Sequence, residues 1–313
     1  MPSFCSDIAR SHAGVGIHGS ATVAPYWLCI EHPDPWAARE IKQGTLPESL
    51  VEAIGTWDDR VPGLRTQGIR REVRTWDRSG EITLMLASTE TMDPEDAPVL
   101  WQGRFETYDD IAGLDVPRLV EAARRGEKEA IVAAGFEQAT EPVILTCTNG
   151  KRDACCALKG RAFHEALADI APRAAWQTTH LGGHRFAPTA VALPYGHQYG
   201  WLTPDDAAGL WAAALRKRIF RLDRYRGCTA FARPVQAAAI AVREQARQTA
   251  GLSDGRVWPI DVEQRGEDLW AVCLAHKNAH VNVLVRRTYG SPAPASCGAD
   301  PKPAVRYEAK SVE

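Results

Sequence analysis

Between residues 143 and 218 the chain spells strand, helix, strand, hairpin and helix in unbroken order, and no other stretch limits the fold as tightly. Val143-Ile144-Leu145-Thr146-Cys147 is a short apolar, β-branched run, the pattern of a buried strand. After the loop TNGKRD, the segment CCALKGRAFHEALADIA sets Phe163, Ala166, Leu167 and Ile170 at the three-four spacing of one helix face, with Asp153 at the N-cap position. AAWQTTHLGGH reads as the next strand and its loop, and PYGH within AVALPYGHQYGWLT as a hairpin turn. Thr203 as N-cap, Pro204 at the first helical position, Asp205 and Asp206 in the first turn and Arg216, Lys217 and Arg218 in the last mark the closing helix.

That order is thioredoxin-like, and the flanks add two further α/β pieces. Upstream, YWLCIE, IRREVRTW, ITLMLAST and LWQGRFET read as strands and LPESLVEAI as a helix. A helical stretch from Pro117 to about Ala134 stops at Gly135, and Ser79-Gly80 marks a hairpin turn between the second and third strands. Downstream, a helix from about Pro234 to Thr249 precedes three antiparallel strands, VWPIDVEQ, LWAVCLA and VNVLVRR. The expectation is an α/β protein: a smaller α/β domain over 1–138, a thioredoxin-like domain with a C-terminal extension over 139–290, and an irregular proline-rich tail over 291–313. With 37 basic and 39 acidic side chains the net charge is −2, which argues against a general binder of nucleic acid or anionic membrane. Without a membrane-length apolar run or a signal-peptide pattern, the chain is expected to be cytoplasmic, where cysteines stay reduced, react or bind metal.

The chemistry concentrates in two loops. Cys147 ends a strand while Cys155 and Cys156 open a helix, and both kinds of terminus meet at one edge of an α/β layer. The free N–H groups of the helix start favour thiolate, the form that binds metal. His180-Leu181-Gly182-Gly183-His184 then offers two imidazoles, and the paired glycines make a tight loop that turns both rings toward one point. Two thiolates and two imidazoles suit zinc or an iron–sulfur cluster. A Rieske centre draws one Cys and one His from each loop, whereas these loops carry one ligand type each. Other signals are weaker. Gly14-Val15-Gly16-Ile17-His18-Gly19 matches GxGxxG, but the strand follows it instead of preceding it, so a glycine-rich loop is expected. His276 and His280 flank a turn, His164 sits within a helix, and His197 lies in the PYGH turn, where it could approach the site's edge. Cys5, Cys29, Cys228, Cys273 and Cys297 read as isolated. Lys151, Arg152, Lys159, Arg161 and Arg185 crowd the two loops, a solvated face that could steer an acidic redox partner.

TCTNGKRDACCALKGRAF followed by THLGGHRFAPTAVALPYGHQYGWL resembles the sucrase/ferredoxin-like family, whose C-terminal half is similar to thioredoxin-like [2Fe-2S] ferredoxins. The likeness extends to the GSATVAPYWLCIE start and to YRGCTAFARPVQAA. It implies a [2Fe-2S] cluster on Cys147, Cys156, His180 and His184, with Cys156 preferred over Cys155 because Cys156-Ala157-Leu158-Lys159-Gly160 reproduces the C-x-x-K-G of those ferredoxins. One-electron transfer to an unidentified redox partner protein follows, with a homodimer possible. It should be proton-coupled, because a neutral imidazole ligand keeps an N–H on its other nitrogen. The rival readings are a structural Cys2His2 zinc site in a partner-binding protein and a thiol oxidoreductase using the vicinal Cys155 and Cys156, which lack the CxxC of thioredoxin. The family name also points to sucrose cleavage, for which no local pair of carboxylates speaks.

Overall fold

The computed structural model describes residues 4–12, 14–38, 41–71, 80–90, 97–246 and 257–312. After a short helix α1 (Cys5–Ser11) and a loop, the first half builds β1 (Tyr26–Glu31), α2 (Glu48–Arg60), β2 (Leu64–Arg70), β3 (Ile82–Ser88), β4 (Leu100–Phe105), α3 (Tyr108–Ala112), α4 (Val116–Arg125), α5 (Lys128–Ala133) and β5 (Phe136–Gln138). The second half holds β6 (Val143–Cys147), a π-helical turn (Cys156–Gly160) running into α6 (Arg161–Ile170), β7 (Ala175–Thr178), β8 (Ala190–Leu193), β9 (His197–Tyr199), α7 (Ala207–Leu215) and β10 (Tyr225–Cys228). Helix α8 (Arg233–Gln245) and strands β11 (Val257–Gly266), β12 (Leu269–His276), β13 (Ala279–Pro294) and β14 (Pro301–Val312) complete the chain.

Strands β1 to β10 form one sheet in the order β10-β9-β8-β6-β7-β2-β1-β3-β4-β5. Within it β6 runs parallel to β7 and antiparallel to β8, and the β8–β9 hairpin turns at Gly196, so the expected run of strand, helix, strand and hairpin is present, its strands lying side by side as β7-β6-β8-β9. The strands before and after residue 138 occupy separate halves, joined where β2 pairs with β7 through Ile69–Thr178 and Arg70–Gln177. Alternation along the strands buries both faces of this sheet. Leu28 and Ile30 of β1 pack with Leu50, Ile54 and Trp57 of α2, while Trp27 and Cys29 point to the other face, where they share a core with Leu145, Cys147, Cys156 and Trp176.

Three expectations need correction. The Ser79-Gly80 hairpin does not join β2 to β3, because these strands flank β1, one parallel and one antiparallel to it; residues 72–79 lie outside the described residues. The helix expected over 117–134 is two, α4 and α5, broken at Gly126, whose φ of 71° ends α4. The tail over 291–313 is not irregular: β13 runs on to Pro294, and β14 pairs with it from Pro301 to Val312 as the fourth strand of a separate antiparallel sheet, β11-β12-β13-β14. Its prolines mislead because β14 is an edge strand, where a missing N–H costs little, and Pro292–Pro303 and Pro294–Pro301 face each other beside the loop that closes the hairpin. Helix α8 packs on this sheet through Val235, Ala238 and Val242; its expected end at Thr249 lies outside the described residues.

Candidate metal centre

Cys147 ends β6 on the face shared with Trp27 and Trp176, and Cys156 opens the π-helical turn above it. Asp153 starts that turn as expected, its carboxylate accepting the Cys155 backbone N–H at 2.9 Å. The close approach of turn to strand depends on Gly160: a Cβ there would stand 2.1 Å from the Cys147 carbonyl oxygen. The extra residue of a π turn is a common device at functional sites, and this one aims the Cys156 thiol at the strand end.

The histidine loop follows β7. Gly182 and Gly183 take φ of 87° and 74°, left-handed values that turn the chain so that the His180 and His184 rings stack with centroids 4.5 Å apart. Side chains from four distant places hold the loop's carbonyls. Arg65 of β2 donates to His180 O at 2.6 Å, Thr22 and Gln198 donate to Leu181 O at 2.7 and 3.1 Å, and Arg226 of β10 donates to Gly182 O at 2.8 Å. Arg226 is fully buried, its pKa lowered to about 9 by that burial and by Arg233, Arg65 and Arg185, and a Cβ on Gly183 would meet its Nη2 at 2.6 Å. None of these four supports was singled out in the sequence, because only the fold brings residues 22, 65, 198 and 226 to one loop.

Cys147, Cys156 and His180 bring one donor atom each within 4.8 Å of one another, with His180 Nδ1 3.9 Å from Cys147 Sγ. His184 stands outside that circle, behind the His180 ring. Cys147 and Cys156 are 0% exposed and His184 7%, while His180 is half-buried. The Cys156 thiol, donating to Cys147, and then His180 hold Cys147 well below the ordinary thiol value, and Cys156 as donor is raised well above it. Burial and the neighbouring His180 push His184 down to about 4, so it is a neutral imidazole at neutral pH. Its Nδ1 is buried without a hydrogen-bond partner. An orphaned ring nitrogen beside two buried thiols fits a bound metal group, since an unpaired buried polar atom is costly unless something completes it.

The remaining candidates separate from this centre. His164 is a buried residue of α6, and His197 packs edge-on against Tyr225, near Arg243. Lys159 is no solvated charge: it pairs with Asp7 and donates to Ser6 Oγ at 2.9 Å, docking α1 on the π turn. Cys5 and Cys297 are not isolated. They meet Cys155, with Sγ separations of 3.5 Å (Cys5–Cys155), 3.2 Å (Cys155–Cys297) and 3.7 Å (Cys297–Cys5).

Fold and site together define an α/β protein with buried Cys/His groups able to hold a metal. Residues 17–227 match the sucrase/ferredoxin-like family, and the chain belongs to it. It is 30% identical over 98 residues to altered inheritance of mitochondria protein 32 of Meyerozyma guilliermondii, a match covering 28% of this chain and 35% of that protein. No solved structure matches the chain. Among the described residues no helix is long and apolar enough to cross a membrane.

Proposed function

We propose that Cys147, Cys156, His180 and His184 hold a [2Fe-2S] cluster and that the protein moves single electrons. The observation that carries this reading is the grouping of two buried thiols with His180, backed by the stacked His184 ring whose Nδ1 is left without a partner. A bound cluster supplies a reversible one-electron carrier. The chain's own residues set its charge: two thiolates and two neutral imidazoles balance the two positive charges of the oxidised core, where four thiolates would leave minus two. A neutral site accepts an electron more readily, so the potential belongs nearer the histidine-ligated range of about −150 to +300 mV than the roughly −400 mV of plant-type ferredoxins. Arg65, Thr22, Gln198 and Arg226 keep the loop from rearranging as the charge changes. His180 is the most exposed of the four, and the exposed Lys151 and Arg152 of the loop after β6, with Arg161 at the start of α6, suit an acidic partner protein.

A second reading, zinc on the same residues, draws on the compactness of Cys147, Cys156 and His180, whose donors already lie close enough for a single ion. Iron and acid-labile sulfide analysis of protein purified without oxygen, together with its visible spectrum, decides between them. The cluster requires about equal iron and sulfide and strong visible absorption; a colourless protein holding zinc at these residues would overturn it.

A further inference from the structure

Two of the cysteines that appear isolated in the sequence, Cys5 and Cys297, form a second thiol cluster with Cys155 on the far side of the same turn. Cys5 opens α1, Cys155 precedes the π turn, and Cys297 lies in the loop between β13 and β14; their sulfurs stand 3.2–3.7 Å apart. Asp153 joins them, one oxygen accepting the Cys155 N–H and the other the Cys297 N–H, each at 2.9 Å, and its carboxylate and the three sulfurs all lie within 4.8 Å of one another. Cys5 and Cys155 are 1% and 0% exposed. These distances are far from the roughly 2.05 Å of a disulfide. They approach the edge of a tetrahedron around zinc, where a zinc–sulfur bond of about 2.3 Å spaces the sulfurs about 3.8 Å apart.

We propose that Cys5, Cys155, Cys297 and Asp153 form a structural zinc site. Three thiolates and one carboxylate give a closed tetrahedral set, which marks a structural ion; a three-coordinate soft metal such as copper(I) would leave the carboxylate unused. Binding releases the thiol protons, so retention strengthens as pH rises. The positive charge of Arg185, which acts on Cys5, offsets part of the resulting negative charge. The ion ties together three segments separated by 150 and 142 residues, and so fastens α1 and the β13–β14 hairpin onto the turn that carries Cys156. It does not depend on what Cys147 and its partners hold.

Zinc-edge X-ray absorption on the full chain, loaded with an equimolar amount of zinc and freed of loose metal, tests it. The expected shell is three sulfurs at about 2.3 Å and one oxygen or nitrogen at about 2.0 Å. A shell of two sulfurs and two nitrogens would place the zinc at the histidine loop and overturn the proposal. So would a chain that retains no zinc, or one whose intact mass shows a disulfide among these cysteines. In competition with a chromophoric chelator, Cys5→Ser and Cys297→Ser should each weaken zinc binding more than about 100-fold, beyond what losing an outer-shell partner does. Unchanged affinity in both variants would equally overturn it.

Discussion

Cys155 and Cys156 are sequence neighbours, both fully buried, yet they live in different parts of the molecule. Cys156 faces the end of β6 and donates to Cys147, and that bond together with burial raises it well above the ordinary thiol value. Cys155 faces α1 and the β13–β14 loop, where the bond from Cys5 holds it at about 6 in spite of burial. Successive residues on a helix are about 100° apart, so neighbours there point at different walls. Two adjacent thiols are therefore not a pair: the Cys156 sulfur meets Cys147 while the Cys155 sulfur meets Cys5 and Cys297, which speaks against a vicinal dithiol acting as one redox unit.

The sharpest break of this contrast is Cys147→Ala. It should abolish bound iron and visible absorption outright while leaving the Cys5–Cys155–Cys297 group unchanged in zinc retention. Gly160→Ala comes next. Its Cβ would collide with the Cys147 carbonyl at 2.1 Å, so the turn must lift from β6, with a stability loss of about 3 kcal/mol in urea unfolding and loss of iron. Retention of both would show that the close approach is not what positions Cys156. Gly183→Ala meets a φ of 74° and Arg226 Nη2 at 2.6 Å; about 2 kcal/mol should be lost, with iron bound less tightly. The smallest effect is Arg65→Ala, which removes the donor to His180 O across the β2–β7 seam and should cost about 1 kcal/mol with the cluster retained.

What could be read in the sequence follows the same division. The first centre is built from residues 147–184, each turn of which has local punctuation: Asp153 as a cap, paired glycines in the histidine loop, a glycine where turn meets strand. Its supports were hidden, because Thr22, Arg65, Gln198 and Arg226 are ordinary polar residues until the sheet gathers them. The second cluster had no local signal at all. Cys5 and Cys297 lie 292 residues apart, and recognising their meeting required knowing that the proline-bearing tail forms an edge strand. Likewise the pairing of β2 with β7, which makes one sheet of two halves, rests on two residue pairs that periodicity does not mark.

Iron and zinc measured together in Cys155→Ser and Cys156→Ser test whether the two neighbouring cysteines serve different sites. Cys155→Ser should keep its iron and lose its zinc, and Cys156→Ser should do the reverse. Loss of the same metal from both variants, or the opposite pattern, would contradict it.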